Sequence, residues 1–551
     1  MPARSTPNSE TGTSPAWNPR LALLVAATFF MEFLDGTILT TAIPNIAGDF
    51  GVPAADVNIT MTAYLMTVAM GIPLSGWLAE RVGARKVFCL AITLFTLASL
   101  ACALSPDLTV LTVSRIVQGA GGAMMVPVGT LLVLRGTPKS ELLRATAFLV
   151  WPALLAPVLA PLVGGALTTY LSWHWIFLIN LPLGAAAFIT ALKIVPAVAG
   201  DPERRLDWLG LALTTAGVGS LVVGLELATA HPDGPWAAIS AVAGLVALTC
   251  AVLWMRRAKH PLFDLSVFRT RTFRAMATGG FVYRLTISSV PFLLPLMFQT
   301  GFGWTPLHAG IMVAAVFIGN IGIKPATTPL IRRFGFRAML VLGSLASAVT
   351  FALCALLTPD TPQALIFALL VCSGAFRSIG FSAYASVQYA DIVPAQLTSA
   401  NSVSATLVQL AAGSGIAVGA LLIRVFDGVA VFDADAAGPF RGAFFTMAVL
   451  MLFSTADSLS LHRHAGAEVS RPAGPEVAGL DSKSPAASSP DSSRQDSNSP
   501  DSSSPDSNSP DSSSPDSNSP DSSSPAVSPP AQAPAEGQHP PRPAAGHVRR
   551  P

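Results

Sequence analysis

Of the 551 residues in this chain, 51% are hydrophobic and only 12% are charged, and the mean hydropathy is +0.55. A water-soluble protein carries about 25% charged residues, so the composition excludes an ordinary soluble enzyme or nucleic-acid binder and predicts a chain built into a bilayer. The formal net charge of +2 says little, because here the distribution of charge carries the information.

Residues 1–20 are polar and show no cleavable signal pattern. They read as a cytoplasmic tail before a first apolar segment that stays in the membrane as an anchor. Runs of about 18 to 25 apolar residues predict fourteen transmembrane helices. The first eight are 21–44, 58–79, 87–105, 109–134, 143–169, 174–195, 207–228 and 235–255. The other six are 275–299, 306–329, 338–357, 363–387, 399–424 and 440–461.

Orientation follows from the loops, because Lys and Arg concentrate on the cytoplasmic side. With the N-terminus inside, the inside loops hold Arg81, Arg85 and Lys86, then Arg135, Lys139 and Arg144, then Lys193, Arg204 and Arg205. Later inside loops carry Arg256, Arg257, Lys259, Arg269, Arg271 and Arg274, and finally Arg332, Arg333 and Arg337. The outside loops hold mostly acids and histidines, such as Asp49, Asp107, His231 and Asp233, and only Arg424 and Arg441 run against the pattern. Both termini are therefore expected in the cytoplasm.

The turn Arg333-Phe334-Gly335-Phe336-Arg337 after the tenth stretch echoes Arg81-Val82-Gly83-Ala84-Arg85 after the second. Two homologous halves leave such an echo. The expected organisation is an N-terminal six-helix bundle over 21–195, two inserted helices with a cytoplasmic loop over 196–270, and a C-terminal six-helix bundle over 271–462. Beyond it, 463–551 is a Ser/Pro/Asp-rich tail that includes six copies of the pentad Asp-Ser-(Asn/Ser)-Ser-Pro between Asp496 and Pro525. Nothing in that tail can bury a core, and it is expected to be disordered.

Charged residues inside the apolar stretches point to chemistry, since each is expensive there and faces protein or water. Glu32 and Asp35 lie three residues apart, so nearly on one helix face. Two like charges in a low dielectric oppose ionising together, which suits a proton-carrying site; the alternative is a structural Asp35 bonded to backbone amides. Arg115 stands in the fourth stretch with Gln118 one turn on, and one reading is that it simply pairs with a carboxylate to hold helices together. The C-terminal half contributes Arg284, Lys324 and Arg377. Three cations around one cavity suit an anionic substrate; alternatively they pair with Glu32, Asp35 and Asp457 as gating ion pairs, and Lys324 can snorkel to the inside face.

Absences narrow the field further. There is no P-loop sequence, so ATP is not expected to drive the protein. The sequence offers no metal-ligand cluster, no nucleophile–base arrangement and no cofactor motif, and an enzyme is not expected. Cys89, Cys102, Cys250, Cys354 and Cys372 are scattered singly and form no disulfide framework.

Several stretches together resemble the major facilitator superfamily. Gly76-Trp77-Leu78-Ala79-Glu80-Arg81-Val82-Gly83-Ala84-Arg85-Lys86 is similar to the family's loop between helices 2 and 3, G-x-L-A-D-R-x-G-R-K, with Glu80 in place of the usual Asp. Arg115-Ile116-Val117-Gln118-Gly119-Ala120-Gly121 resembles R-x-x-Q-G-x-G, whose arginine the family associates with proton coupling. Asp35 fits the L-D-x-T pattern of the fourteen-helix drug:proton antiporters, and Ser172 to Pro182 is like their corresponding stretch. Pro161, Gly164 and Gly165 match the antiporter motif G-x-x-x-G-P-x-x-G-G, whose two leading glycines are alanines here. Met125 to Gly129, Arg284 and Lys324 extend the likeness to multidrug exporters of the MdtD type.

The resemblance implies an all-α integral membrane protein with the major facilitator fold. It implies a proton-coupled exporter of small amphiphilic molecules in the cytoplasmic membrane, working by alternating access; a monomer is expected, though the sequence does not fix the oligomeric state. Asp35, Glu32 and Arg115 would couple the proton, Gly76 to Lys86 would latch the inside face, and Pro161, Gly164 and Gly165 would shape the cavity. Arg284, Arg377, Lys324 and Gln118 are the candidate substrate contacts. A dedicated exporter of a small organic anion is the second reading, and a membrane sensor using the long tail as its output is the third.

Overall fold

The computed structural model describes residues 18–230, 234–427 and 436–462, together with 465, 466 and 469. His231 and Asp233 lie outside the described residues, as do residues 1–17 of the N-terminal tail and, apart from those three positions, the tail expected over 463–551. The described residues belong to a single unit and are almost entirely helical.

In chain order the helices are α1 (Pro19–Ile38), α2 (Ile43–Phe50), α3 (Ala54–Leu78), α4 (Ala84–Ala103), α5 (Leu108–Arg135) and α6 (Leu142–Tyr170). There follow α7 (Trp175–Leu178), α8 (Asn180–Ile194), α9 (Trp208–Ala230), α10 (Trp236–Met255), α11 (Arg271–Ala277) and α12 (Gly279–Leu296). The series ends with α13 (Pro306–Gly322), α14 (Lys324–Ala355), α15 (Gln363–Ala390), α16 (Leu397–Asp427) and α17 (Gly438–Leu459). A helix is the natural form here, because it satisfies every backbone donor within one segment where lipid offers no partner. Side chains close the exposed ends: Asn18 Oδ1 accepts from the N–H groups of Arg20 and Leu21, and Asp107 Oδ1 from that of Val110 at 2.9 Å.

Among the described residues, eleven helices are long and apolar enough to cross a membrane. One of them, Asp56–Ala103, runs for 48 residues, more than twice the roughly 20 needed for one crossing. It turns at Gly83, where φ is +102°, a conformation that favours glycine. The long α14 turns in the same way at Gly335, with φ +80°. Two further helices, α6 and α13, stand at the remaining apolar stretches, so a helix occupies each stretch predicted from the sequence.

Packing repeats in the two halves. In the first, α1 packs on α6 and α8, α5 on α3 and α4, and α4 on α8; in the second, α12 packs on α16 and α17, α15 on α13 and α14, and α14 on α17. The pairing is the same in both, and the two turning glycines, Gly83 and Gly335, fall at corresponding junctions. Helices α9 and α10 pack on each other, and α9 rests on α3 and α16. In α10 only 17% of the apolar window is buried although its mean hydropathy is 2.2, so most of this apolar helix lies on the outside of the bundle.

The halves meet closely at the ends that carry the basic loops. Arg135 donates to Thr398 Oγ1 at 2.7 Å, Asn401 Nδ2 to the Pro127 carbonyl at 2.8 Å, and Thr146 and Ser386 share a hydrogen bond of 2.6 Å. Gly76 touches Ser402 so closely that a Cβ there would lie 2.1 Å from Ser402 Oγ. The basic face is therefore closed across both halves.

Candidate functional site: a buried ion-pair network beside a central cavity

Two regular helices bring Asp35 and Arg115 together. Arg115 Nη1 donates to Asp35 Oδ2 at 2.5 Å, and the two side chains are 0% and 1% exposed. The same Nη1 donates to Gln118 Oε1 at 2.6 Å. Gln118 Nε2 in turn donates to Asp35 Oδ1 at 2.9 Å and to Ser99 Oγ at 2.8 Å. Asn180 Nδ2 completes the set, donating to Asp35 Oδ1 at 2.7 Å. The guanidinium lies 4.2 Å from the Tyr64 ring centre and 5.6 Å from that of Phe177, a cation–π seat that needs no further counter-charge. Glycine makes the approach of α5 to α3 possible: a Cβ on Gly119 would lie 2.8 Å from the Tyr64 carbonyl oxygen.

Glu32, one turn from Asp35, is not part of this network. It lies on the wall of a cavity of about 310 Å³ between the two halves. Its carboxylate oxygen Oε2 has no hydrogen-bond partner among the described residues, and the residue is 8% exposed. The cavity wall is mostly apolar, with Phe29, Phe33, Val68, Leu149 and Val126. Polar groups come from Gln388, Tyr389, Asn401 and Ser404 on α15 and α16, and one cation, Arg284, comes from α12.

The structure separates the candidate substrate contacts. Arg284 lines the cavity, 4.7 Å from the Phe381 ring centre. Lys324 does not: its Nζ donates to Ser382 Oγ at 2.7 Å and lies 5.9 Å from the centre of the same ring. Arg377 is tied between α12 and α15, donating to the Ile287 carbonyl at 3.2 Å while its own carbonyl accepts from the Tyr283 hydroxyl. Gln118 is consumed by the Asp35 network. The expected ring of three cations is thus one cavity-facing cation and two packed into the C-terminal half. Asp457 pairs with none of them; it accepts from Thr278 Oγ1 and the Gly279 N–H.

The motif from Gly76 to Lys86 grips the segment that follows α8. Glu80 Oε2 lies 2.6 Å from Arg204 Nε, the Glu80 carbonyl accepts from the Asp201 N–H at 2.8 Å, and Arg81 donates to the Arg204 carbonyl at 2.7 Å. Arg85 donates to the Leu192 carbonyl, and Lys86 is exposed beside it. Gly83 and Gly200 are needed for contact, since a Cβ on either would fall within 2.8 Å of the opposing backbone. In α6, Ala156 and Ala160 are fully buried, and Gly164 presses on α1, with a Cβ there 2.2 Å from Thr41 Oγ1 and 2.8 Å from Ile38 Cγ1. Small residues at this spacing let helices approach, which is why alanines serve where the antiporter motif has glycines. Gly165 has open space around it and Pro161 is exposed.

Sequence reasoning missed Asn180, Ser99 and Tyr64 as partners of the ion pair, and the C-terminal polar wall of Gln388, Asn401 and Ser404. A signal existed for the wall: amides within helices otherwise apolar enough to span. Ser99 carried no such mark.

A family model described as Major Facilitator Superfamily matches residues 25–204 and 276–490. The chain is 37% identical over 435 residues to Putative multidrug resistance protein MdtD of Cronobacter sakazakii, which spans 78% of this chain and 91% of that protein. It is 38% identical over 405 residues to the protein of the same name from Escherichia coli O6:H1, spanning 73% of this chain and 86% of the relative. The crystal structure of the human organic anion transporter MFSD10 (TETRAN) superposes with a TM-score of 0.58 at 16% identity, over 80% of this chain and 99% of that one. That last likeness concerns the fold alone.

Proposed function

The chain belongs to the major facilitator superfamily, and we propose that it is a proton-coupled multidrug efflux transporter that exports small amphiphilic molecules across the cytoplasmic membrane. The relatives' multidrug names support the reading, and one observation carries it: an unpaired carboxylate, Glu32, on the wall of an apolar cavity between two halves. A buried charge of this kind is costly until it is neutralised. A proton neutralises it, and so does the cationic end of a substrate. The two therefore compete for one group, and that competition makes transport an exchange.

In this reading the bundles over 21–195 and 271–462 rock about the cavity, the helices over 196–270 are inserted between them, and both termini are cytoplasmic. With the basic face inside, the contacts of Arg135, Thr146 and Asn401 belong to the state closed to the cytoplasm. Asp35 and Arg115 hold α1 against α5 beside Glu32; Asp35 exchanges the proton with Glu32 when the bundles move, and Arg115 tunes the carboxylate it pairs with. Residues Gly76 to Lys86 latch the inside face. A dedicated anion exporter is less well supported, because only one of three candidate cations reaches the cavity and an acid shares it. Anion binding at Arg284 would also be helped, not opposed, by a proton on Glu32, which gives co-movement instead of exchange.

The test is proton movement in proteoliposomes on adding a lipophilic monocation. The native chain should release protons into the cation-loaded side, and Glu32→Gln should abolish this. Proton movement in the Glu32→Gln protein equal to the native would defeat the reading.

A further inference from the structure

The cavity carries two charged side chains that no ion pair satisfies among the described residues, and they are of opposite sign. Glu32 comes from α1 and Arg284 from α12, the first helices of the two repeated halves, and both line the cavity. Glu32 is 8% and Arg284 6% exposed, so each is more than nine-tenths buried. Glu32 Oε2 and Arg284 Nε have no hydrogen-bond partner among the described residues. They form no ion pair with each other and none with any other described residue. The Arg284 guanidinium lies 4.7 Å from the Phe381 ring centre, and the Lys324 ammonium lies 5.9 Å from the same centre. Two cations near one ring, neither in an ion pair among the described residues, make the surroundings of Arg284 positive.

The cavity wall that carries the two charges is mostly apolar, with Phe29, Phe33, Val68 and Leu149. A monocation on Glu32 would leave Arg284 buried and bare, which is expensive, and a monoanion on Arg284 would leave Glu32 to take up a proton, which cannot drive an exchange. A ligand bearing both charges would satisfy the two together, with its apolar body along the ring-lined wall. The geometry points to amphiphilic zwitterions as the preferred substrate class: an ammonium set against Glu32, and a carboxylate or similar anion against Arg284, which Phe381 positions. A guanidinium suits this role, since it can hold a carboxylate through two parallel N–H donors. This inference rests on the efflux reading and adds to it the charge pattern of the cargo.

The experiment uses the full chain in proteoliposomes and three matched probes: naphthylalanine (a zwitterion), its methyl ester (a monocation) and its N-acetyl derivative (a monoanion). In the native protein the zwitterion should compete for binding better than either single-charge analogue; equal or weaker competition overturns the inference without any variant. Arg284→Gln should lower the ratio of zwitterion to ester transport, as kcat/KM, by about tenfold, which is the scale of one charge-assisted hydrogen bond. Arg284→Lys should restore part of it. An unchanged ratio overturns the inference, whether both rates fall together, as a gating role predicts, or neither does. The two readings fail differently. Ester-driven proton release with an unchanged ratio removes the zwitterion preference alone, whereas no proton-coupled movement of any probe removes both.

Discussion

Arg115 holds Asp35 at 2.5 Å in a site that leaves neither side chain in contact with solvent. Gln118 and Asn180 both donate to the same carboxylate at Oδ1. A pair of this kind is weak support for stability while intact, but removing one partner strands the other charge.

Asp35→Asn or Arg115→Met alone is expected to destabilise the protein by about 3–5 kcal/mol. The double variant Asp35→Asn/Arg115→Met should recover most of that loss, because it leaves no bare charge. Thermal unfolding in detergent reads both effects. Single variants as stable as the native protein would show that the pair is not closed in solution. Recovery of stability without recovery of proton-coupled transport would separate the pair's structural part from its role in coupling.

Glu32 should behave in the opposite way. It bonds to nothing in the Asp35 network, and its Oε2 has no partner, so Glu32→Gln removes a cost and breaks no ion pair. The melting temperature is expected to stay level or rise, while proton release on adding a lipophilic cation disappears. A fall in stability as large as that of Asp35→Asn would mean that Glu32 has a structural partner in the membrane.

How much of this was legible beforehand differs between the backbone and the site. The helices were legible because a bilayer imposes a length and a composition on each crossing, and Gly83 and Gly335 stood out as paired turns in the sequence. The Asp35–Arg115 contact could be suspected, since a buried arginine needs a counter-charge. Which of two carboxylates three residues apart would face the cavity could not be, because that depends on how α1 is rotated against α5. The same rotation problem hid the fate of Arg377 and Lys324: a cation in a spanning helix announces that it faces protein, not which gap it fills. Tyr64 and Ser99 looked like ordinary helix residues until the arginine arrived beside them.

Closure of the basic face depends on the absence of one side chain. A Cβ on Gly76 would lie 2.1 Å from Ser402 Oγ and 3.2 Å from Ser402 Cβ, across the two halves. Overpacking of this kind costs about 1–3 kcal/mol, and here the cost falls on one conformation only. Gly76→Ala is therefore expected to slow transport by about tenfold through loss of the closed state, at 1.4 kcal/mol per factor of ten. Ser402→Gly in the same chain should restore it, which a merely misfolded Gly76→Ala protein would not allow. Failure of the second change to rescue transport would place the defect elsewhere.

Asp207 makes the last case, away from the cavity. Its carboxylate, on a residue 8% exposed, ties three segments together at the start of α9. Oδ1 accepts from the Gly210 N–H at 2.8 Å and from Trp254 Nε1 at 2.9 Å, and Oδ2 accepts from the Leu262 N–H at 3.1 Å. One side chain thus caps α9, fastens the end of α10 and holds the loop that leads into the C-terminal half. Asp207→Ala leaves these donors without an acceptor, at about 1–3 kcal/mol for each buried group so stranded. Asp207→Asn keeps one acceptor oxygen but turns an N–H₂ group towards a donor, so it should recover only part of the loss. The expected reading is a lower melting temperature for both variants, larger for alanine, with faster proteolysis in the segment 256–264. Export by molecules that remain folded should change little, because no part of Asp207 reaches the cavity. If alanine and asparagine melt like the native protein, the inserted helices are anchored by lipid and by α3 and α16, and the carboxylate is dispensable.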